Sequence, residues 1–81
     1  MRQMNREVKA NQIYRHFKGT MHKIICVAKD SETLEDVVVY THEEDGEIWV
    51  RPLTMFLSEV DHEKYPDIEQ TYRFELIEET D

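Results

Sequence analysis

Short runs of alternating or continuous apolar residues recur along the chain, and turn-forming residues separate them. Segments 13–18, 47–51 and 72–77 alternate in polarity, whereas 21–28 and 37–40 are rich in β-branched residues. Both patterns are typical of short strands. Asp45 and Gly46 lie between two of the runs and predict a hairpin turn. We therefore expect an antiparallel protein with five or six strands.

One segment breaks the strand pattern. Pro52 cannot donate a ladder hydrogen bond, and its ring suits the first turn of a helix, so segment 52–57 predicts a short helical turn at one end of the sheet. Val60 is a candidate for one further short strand. The expected fold class is mainly β, a small antiparallel SH3-like barrel with one helical turn near residues 52–57.

Length and composition predict one domain over residues 1–81, with 1–7 and 78–81 flexible. No apolar run approaches the roughly 20 residues of a membrane helix, and the N-terminal residues lack an apolar signal segment. We therefore expect a cytoplasmic protein without membrane contact.

Two further expectations concern single elements. The single Cys26 lies in the apolar run 24–28 and is expected to pack as a small hydrophobe. The last strand, 72–77, would form an exposed edge that could pair with a second copy as a homodimer.

The charge is unevenly distributed, although the net charge is −8. Residues 1–29 carry seven basic residues against the single acid Glu7, and residues 58–81 carry nine acids against Lys64 and Arg73. This balance disfavours a general binder of duplex DNA, which needs a dominant basic face. The same charge balance is compatible with a local basic patch.

Strand alternation assigns the polar side chains to faces of the sheet. Tyr14, His16 and Lys18 should share one face of the first strand, and Trp49 and Arg51 one face of the strand after the hairpin. If these strands are close together, Arg51 offers a bidentate fork for an anion and Trp49 or Tyr14 a stacking surface. In the alternative interpretation the two aromatic residues border the core and the three basic residues are only solvated.

The remaining polar residues give less specific evidence of a catalytic or metal site. Ser31, Glu32 and Thr33 place hydroxyls beside a carboxylate, an arrangement that more often caps turns than catalyses reactions. The four histidines show no metal-ligand spacing, and neither a glycine-rich phosphate loop nor a nucleophile elbow is present. We expect no metal, no cofactor and no catalytic residue.

Several of these segments together resemble a family of small bacterial proteins known only as a domain of unknown function. Its shared motifs are Y-x-H-x-K-G, H-S-E-T and W-V-R-P-x-x-M-F, and this chain departs from the second by carrying Asp30 in place of His. The resemblance spans about residues 8–74 and implies a bacterial protein with no established activity. The following candidate ligand-binding positions come from the faces and the motifs: Tyr14, His16, Lys18, Ser31, Glu32, Thr33, Tyr40, Trp49 and Arg51. The motifs also include Gly19 and Pro52, for which a turn and a helix start are sufficient roles.

The leading hypothesis is a non-enzymatic binding module for a protein segment or a small anionic ligand such as a nucleotide. The alternative is single-stranded nucleic-acid binding through stacked aromatic residues and the N-terminal basic residues. A third hypothesis is a small hydrolase that pairs His16 with the loop 31–33, which requires contact between them.

Overall fold

The computed structural model describes residues 7–79 of the chain. These residues form five strands and one helical turn: β1 (Ile13–His16), β2 (Met21–Lys29), β3 (Asp36–His42), β4 (Ile48–Pro52), α1 (Leu53–Phe56) and β5 (Phe74–Glu78). The mainly β class and the helical turn after Pro52 are confirmed.

The strands form one antiparallel sheet in the order β4-β3-β2-β1-β5. Strand β1 ends at His16, two residues earlier than predicted, because the chain turns back through Gly19. Gly19 has φ +100°, a value that side chains disfavour, and its N–H donates to the His16 carbonyl at 2.7 Å. Phe17 and Lys18 therefore belong to a turn.

Among the described residues, β4 and β5 are the two edge strands and no ladder joins them. The sheet is therefore open, and the predicted barrel closure is not observed. The chain between α1 and β5 forms turns instead, joined by a single bridge between Glu59 and Tyr72. Val60, within this segment, is 4% exposed. The segment thus contributes to the core without adding a strand.

The core lies on one face of the sheet and is largely aromatic. The rings of Phe56 and Phe74 stack with centroids 4.1 Å apart and planes within 10° of parallel. Tyr14 meets Phe56 edge-on at 5.1 Å, and Tyr40 lies 5.7 Å from the same ring. Helix α1 is a single turn, and it places Phe56 fully inside the core, as expected of a helical turn that covers one end of the sheet.

The expectation that segment 21–28 is a buried strand is wrong for its second half. Ile24 is 1% exposed, whereas Ile25, Cys26 and Val27 are exposed, and a register shift separates Ile24 from Cys26 in the pairing with β3. Beyond the shift, Cys26 pairs with Val39 on the face away from the core. Val27 pairs with the buried Val38 and is still 40% exposed, so the core does not cover this end of β2. Cys26 is therefore an exposed thiol and not a core residue.

Most of the two segments predicted to be flexible, 1–7 and 78–81, lies outside the described residues. Within them, Glu78 ends β5 and the Glu79 carboxylate accepts a hydrogen bond from the buried amide of Gln12 at 3.1 Å. Between residues 7 and 79, no helix has the length and apolar character required to cross a membrane.

Candidate functional site

A pocket of about 390 Å³ opens on the face of the sheet that carries the core, beside the turn that joins β1 to β2. Strand pairing brings its walls together, since His22 of β2 faces His42 of β3, and Tyr40 of β3 faces Trp49 of β4. The lining residues are His16, Lys18, Thr20, His22, Tyr40, His42, Asp45, Trp49, Arg51 and Phe74. Aromatic rings and cationic groups thus share one cavity.

Within residues 7–79, uncharged groups hold the Arg51 side chain in place. Its Nε donates to the Tyr40 hydroxyl at 3.2 Å, and its guanidinium carbon lies 5.3 Å from the centre of the Phe74 ring. Among residues 7–79, no carboxylate lies within ion-pair distance of this guanidinium. The cation is therefore oriented by a hydrogen bond and a ring face, while its two terminal nitrogens have no carboxylate to bind.

His16 is a neutral hydrogen-bond donor at neutral pH. Its Nδ1 accepts the Lys18 backbone N–H at 3.1 Å, so the ring proton resides on Nε2. Burial of the ring, and then the positive charge of Arg51 and its cationic neighbours, lower the pKa of His16 from 6.5 to about 4. The ring adds a polar N–H to the pocket without adding charge.

Thr20 and His22 also line the pocket, and sequence reasoning did not identify them as site residues. The Nδ1–H of His22 donates to the Thr41 carbonyl at 3.2 Å, and its Nε2 accepts the Thr20 hydroxyl at 2.8 Å. Burial is the main cause that lowers the pKa of His22. Period-two alternation alone places His22 on the face of the buried Ile24, and this signal could have identified it.

Asp45, in the hairpin between β3 and β4, adds a carboxylate to the lining of the pocket. His42 Nδ1 lies 3.2 Å from Asp45 Oδ1, and the backbone N–H of Glu47 donates to the same carboxylate at 3.0 Å. That backbone hydrogen bond is the main reason that the pKa of Asp45 is lowered. Asp45 thus stays ionised and is occupied by groups of its own turn.

The structure brings together five of the nine predicted site residues in this pocket: His16, Lys18, Tyr40, Trp49 and Arg51. Tyr14 lies elsewhere, because it is 4% exposed in the core and its hydroxyl donates to Gln12 at 3.0 Å. The Tyr14 position matches the core-border interpretation of that residue.

Ser31, Glu32 and Thr33 do not line the pocket. They form the loop between β2 and β3, where Asp30 Oδ1 accepts the backbone N–H of Glu32 at 2.8 Å and of Thr33 at 3.2 Å. His16 lies beside the start of β2 and the loop follows its end. A strand of nine residues spans roughly 26 Å at about 3.3 Å per residue, which rules out the contact that the hydrolase hypothesis requires.

Comparison with known proteins identifies a family and no characterised relative. A family model described as "Protein of unknown function (DUF1653)" matches residues 12–76. No curated protein and no solved structure matches the chain significantly. The matched span contains every residue that lines the pocket.

Proposed function

The chain belongs to the DUF1653 family of proteins of unknown function, and we propose that it is a small binding module whose pocket takes a planar ligand with an anionic group. The observation that carries this proposal is the Arg51 guanidinium, which is oriented inside the pocket and has no carboxylate partner among the described residues. A protein of net charge −8 has many acids that could neutralise this group. The lack of a carboxylate partner within residues 7–79 supports a role in binding an external anion.

The groups around Arg51 fit an oxyanion. A guanidinium binds carboxylate or phosphate through two parallel hydrogen bonds, and Lys18 lines the same cavity as a second cation. The neutral His16 ring supplies an N–H donor from its Nε2. Because His16 carries no charge at neutral pH, anion binding there does not depend on protonating a histidine.

The aromatic side of the pocket fits a flat ring. Trp49 is 51% exposed although it lines a cavity with Tyr40 and Phe74, so its indole face is accessible for stacking. Aromatic faces stack on planar ligands in offset or edge-on arrangements. A mononucleotide joins a planar base to a phosphate and is therefore the first probe.

The test is calorimetric titration of AMP into the wild-type protein, Arg51→Gln and the control Arg15→Gln. Loss of a charged bidentate contact should weaken AMP binding by about tenfold or more. Arg15→Gln removes the same charge from an exposed ion pair with Glu75 outside the pocket and should leave binding unchanged. Trp49 is the only tryptophan, so its indole N–H resonance reports where AMP binds.

A second pair of variants covers the case in which Arg51→Gln fails to fold. Lys18→Gln should weaken AMP binding, whereas Lys29→Gln, which changes an exposed ion pair with Asp36, should not. Absence of AMP binding, or equal loss in the pocket and control variants, would refute the proposal. Preferential, strongly salt-dependent binding of oligothymidine would favour single-stranded nucleic acid instead.

A further inference from the structure

A second cavity of about 410 Å³ adjoins the pocket described above and shares three residues with it: His16, Lys18 and Arg51. Its other lining residues are Phe17, Asp61, Lys64, Tyr65 and Arg73. We propose that this cavity is a second anion subsite, so that the domain prefers a polyanionic ligand, such as a nucleoside triphosphate, over a mononucleotide. This inference rests on the proposed function, because the planar part of that ligand occupies the first pocket.

The distribution of unpaired cations supports the subsite. Residues 7–79 contain eight Lys and Arg side chains, and Lys9, Arg15 and Lys29 form ion pairs with carboxylates. Five have no such partner in that range, and four of these line the two cavities: Lys18, Arg51, Lys64 and Arg73. The exception is Lys23 on β2. The cations that lack partners are therefore concentrated where a ligand could neutralise them.

The second cavity also orients its cations. Arg73 Nε donates to the Ser58 hydroxyl at 3.1 Å, which holds the guanidinium at the cavity wall. The ammonium groups of Lys18 and Lys64 lie 5.5 Å and 5.6 Å from the centre of one ring, that of Tyr65. Like charges gathered in this way repel one another, and a bound anion relieves that repulsion.

Among the described residues, Asp61 is the one carboxylate that lines the second cavity, and it already accepts a hydrogen bond within its own turn. Its Oδ1 accepts the Glu63 backbone N–H at 3.2 Å. One carboxylate leaves the cations Lys18, Arg51, Lys64 and Arg73 in excess around the cavity. The charge balance thus still favours an anion.

The shared wall defines how one ligand can use both cavities. Arg51, His16 and Lys18 border each of them, so a phosphate bound at this wall lies between the aromatic pocket and the second cavity. Further phosphates of the same chain would extend toward Lys64 and Arg73. AMP lacks these phosphates, whereas ATP carries them.

The experiment compares AMP with ATP, in buffer containing EDTA, on the wild-type protein, Lys64→Gln and Lys23→Gln. We expect ATP to bind about tenfold more tightly than AMP to the wild type, since added charge-assisted contacts are strong. Lys64→Gln should weaken ATP binding by about three- to tenfold and leave AMP binding unchanged. Lys23 is exposed, lies outside both cavities and has no carboxylate partner within residues 7–79, so Lys23→Gln should affect neither ligand.

The outcomes separate the two proposals. If neither nucleotide binds, the proposed function fails and the subsite fails with it. If AMP binds and ATP binds no more tightly, the pocket remains and the second subsite is refuted. The same holds if Lys64→Gln and Lys23→Gln weaken ATP binding equally, because the effect would then be a general one of net charge.

Discussion

Acidification from pH 7 to pH 5 should destabilise the fold through His16. Burial and the neighbouring positive charges of Arg51, Arg73 and Lys18 hold its pKa at about 4, whereas an unperturbed histidine in the unfolded chain has a pKa of 6.5. Between these values the unfolded chain binds a proton that the folded protein does not. The free energy of unfolding therefore falls as the pH drops below about 6.5, and the loss is complete below about 4.

The size of this effect follows from the two pKa values. One pKa unit corresponds to about 1.4 kcal/mol, and the fraction of the shift expressed between pH 7 and pH 5 is worth about 2 kcal/mol before screening. The His16 ring borders two cavities that open to the surface, so screening reduces the loss to about 1 kcal/mol. For a chain of this length, about 1 kcal/mol lowers Tm by roughly 4–8 °C.

Thermal unfolding at pH 7, 6 and 5 of the wild type and His16→Asn measures this loss. The asparagine carbonyl can replace Nδ1 as acceptor of the Lys18 N–H, so this variant removes the titration and keeps the hydrogen bond. His62→Gln is the control, because it removes a histidine outside the pocket and retains a donor toward the Gln70 carbonyl. An acid-induced loss as large in His16→Asn as in the wild type would show that protonation of His16 does not cause it.

Two further predictions concern the two faces of the sheet. Phe56→Ala should reduce the free energy of unfolding by about 3–5 kcal/mol in urea denaturation, since it removes a fully buried ring that stacks on Phe74. A loss below about 1 kcal/mol would contradict the described core. Cys26 should react with a thiol reagent in the native protein within about tenfold of its rate in urea, because its side chain is exposed. Reaction only after unfolding would place it in the interior.

The strands and the helical turn were predictable because local patterns determine them. Asp45 and Gly46 mark the β3–β4 turn, and Pro52 precedes a single helical turn. Local patterns could not predict that the core covers one face only and stops short of the end of β2, so they wrongly predict that the apolar run around Cys26 is buried. Burial of a strand depends on what packs against it, which is a tertiary property.

The site was predictable in part for the same reason. Alternation on β4 correctly placed Trp49 and Arg51 on one face, and they line the pocket with Tyr40. Lys18 lines it too, although it does so from a turn and not from a strand. Sequence reasoning missed Phe74 because strand order, which local patterns do not reveal, decides that β5 lies beside β1. The alternation around the buried Ile24, in contrast, could have identified His22.

The protein has a net charge of −8, yet the Lys and Arg side chains that line the two cavities have no carboxylate partner among residues 7–79. Under the proposed function, this combination limits the ligands that can bind. At physiological ionic strength, charges interact over a Debye length of about 8 Å, so an anion inside the pocket is attracted mainly by its nearest cations. A long polyanion would extend past these cations and meet the acidic remainder of the surface, where it would be repelled. The observed distribution of charge therefore favours a small anion that fits within the two cavities over an extended nucleic acid.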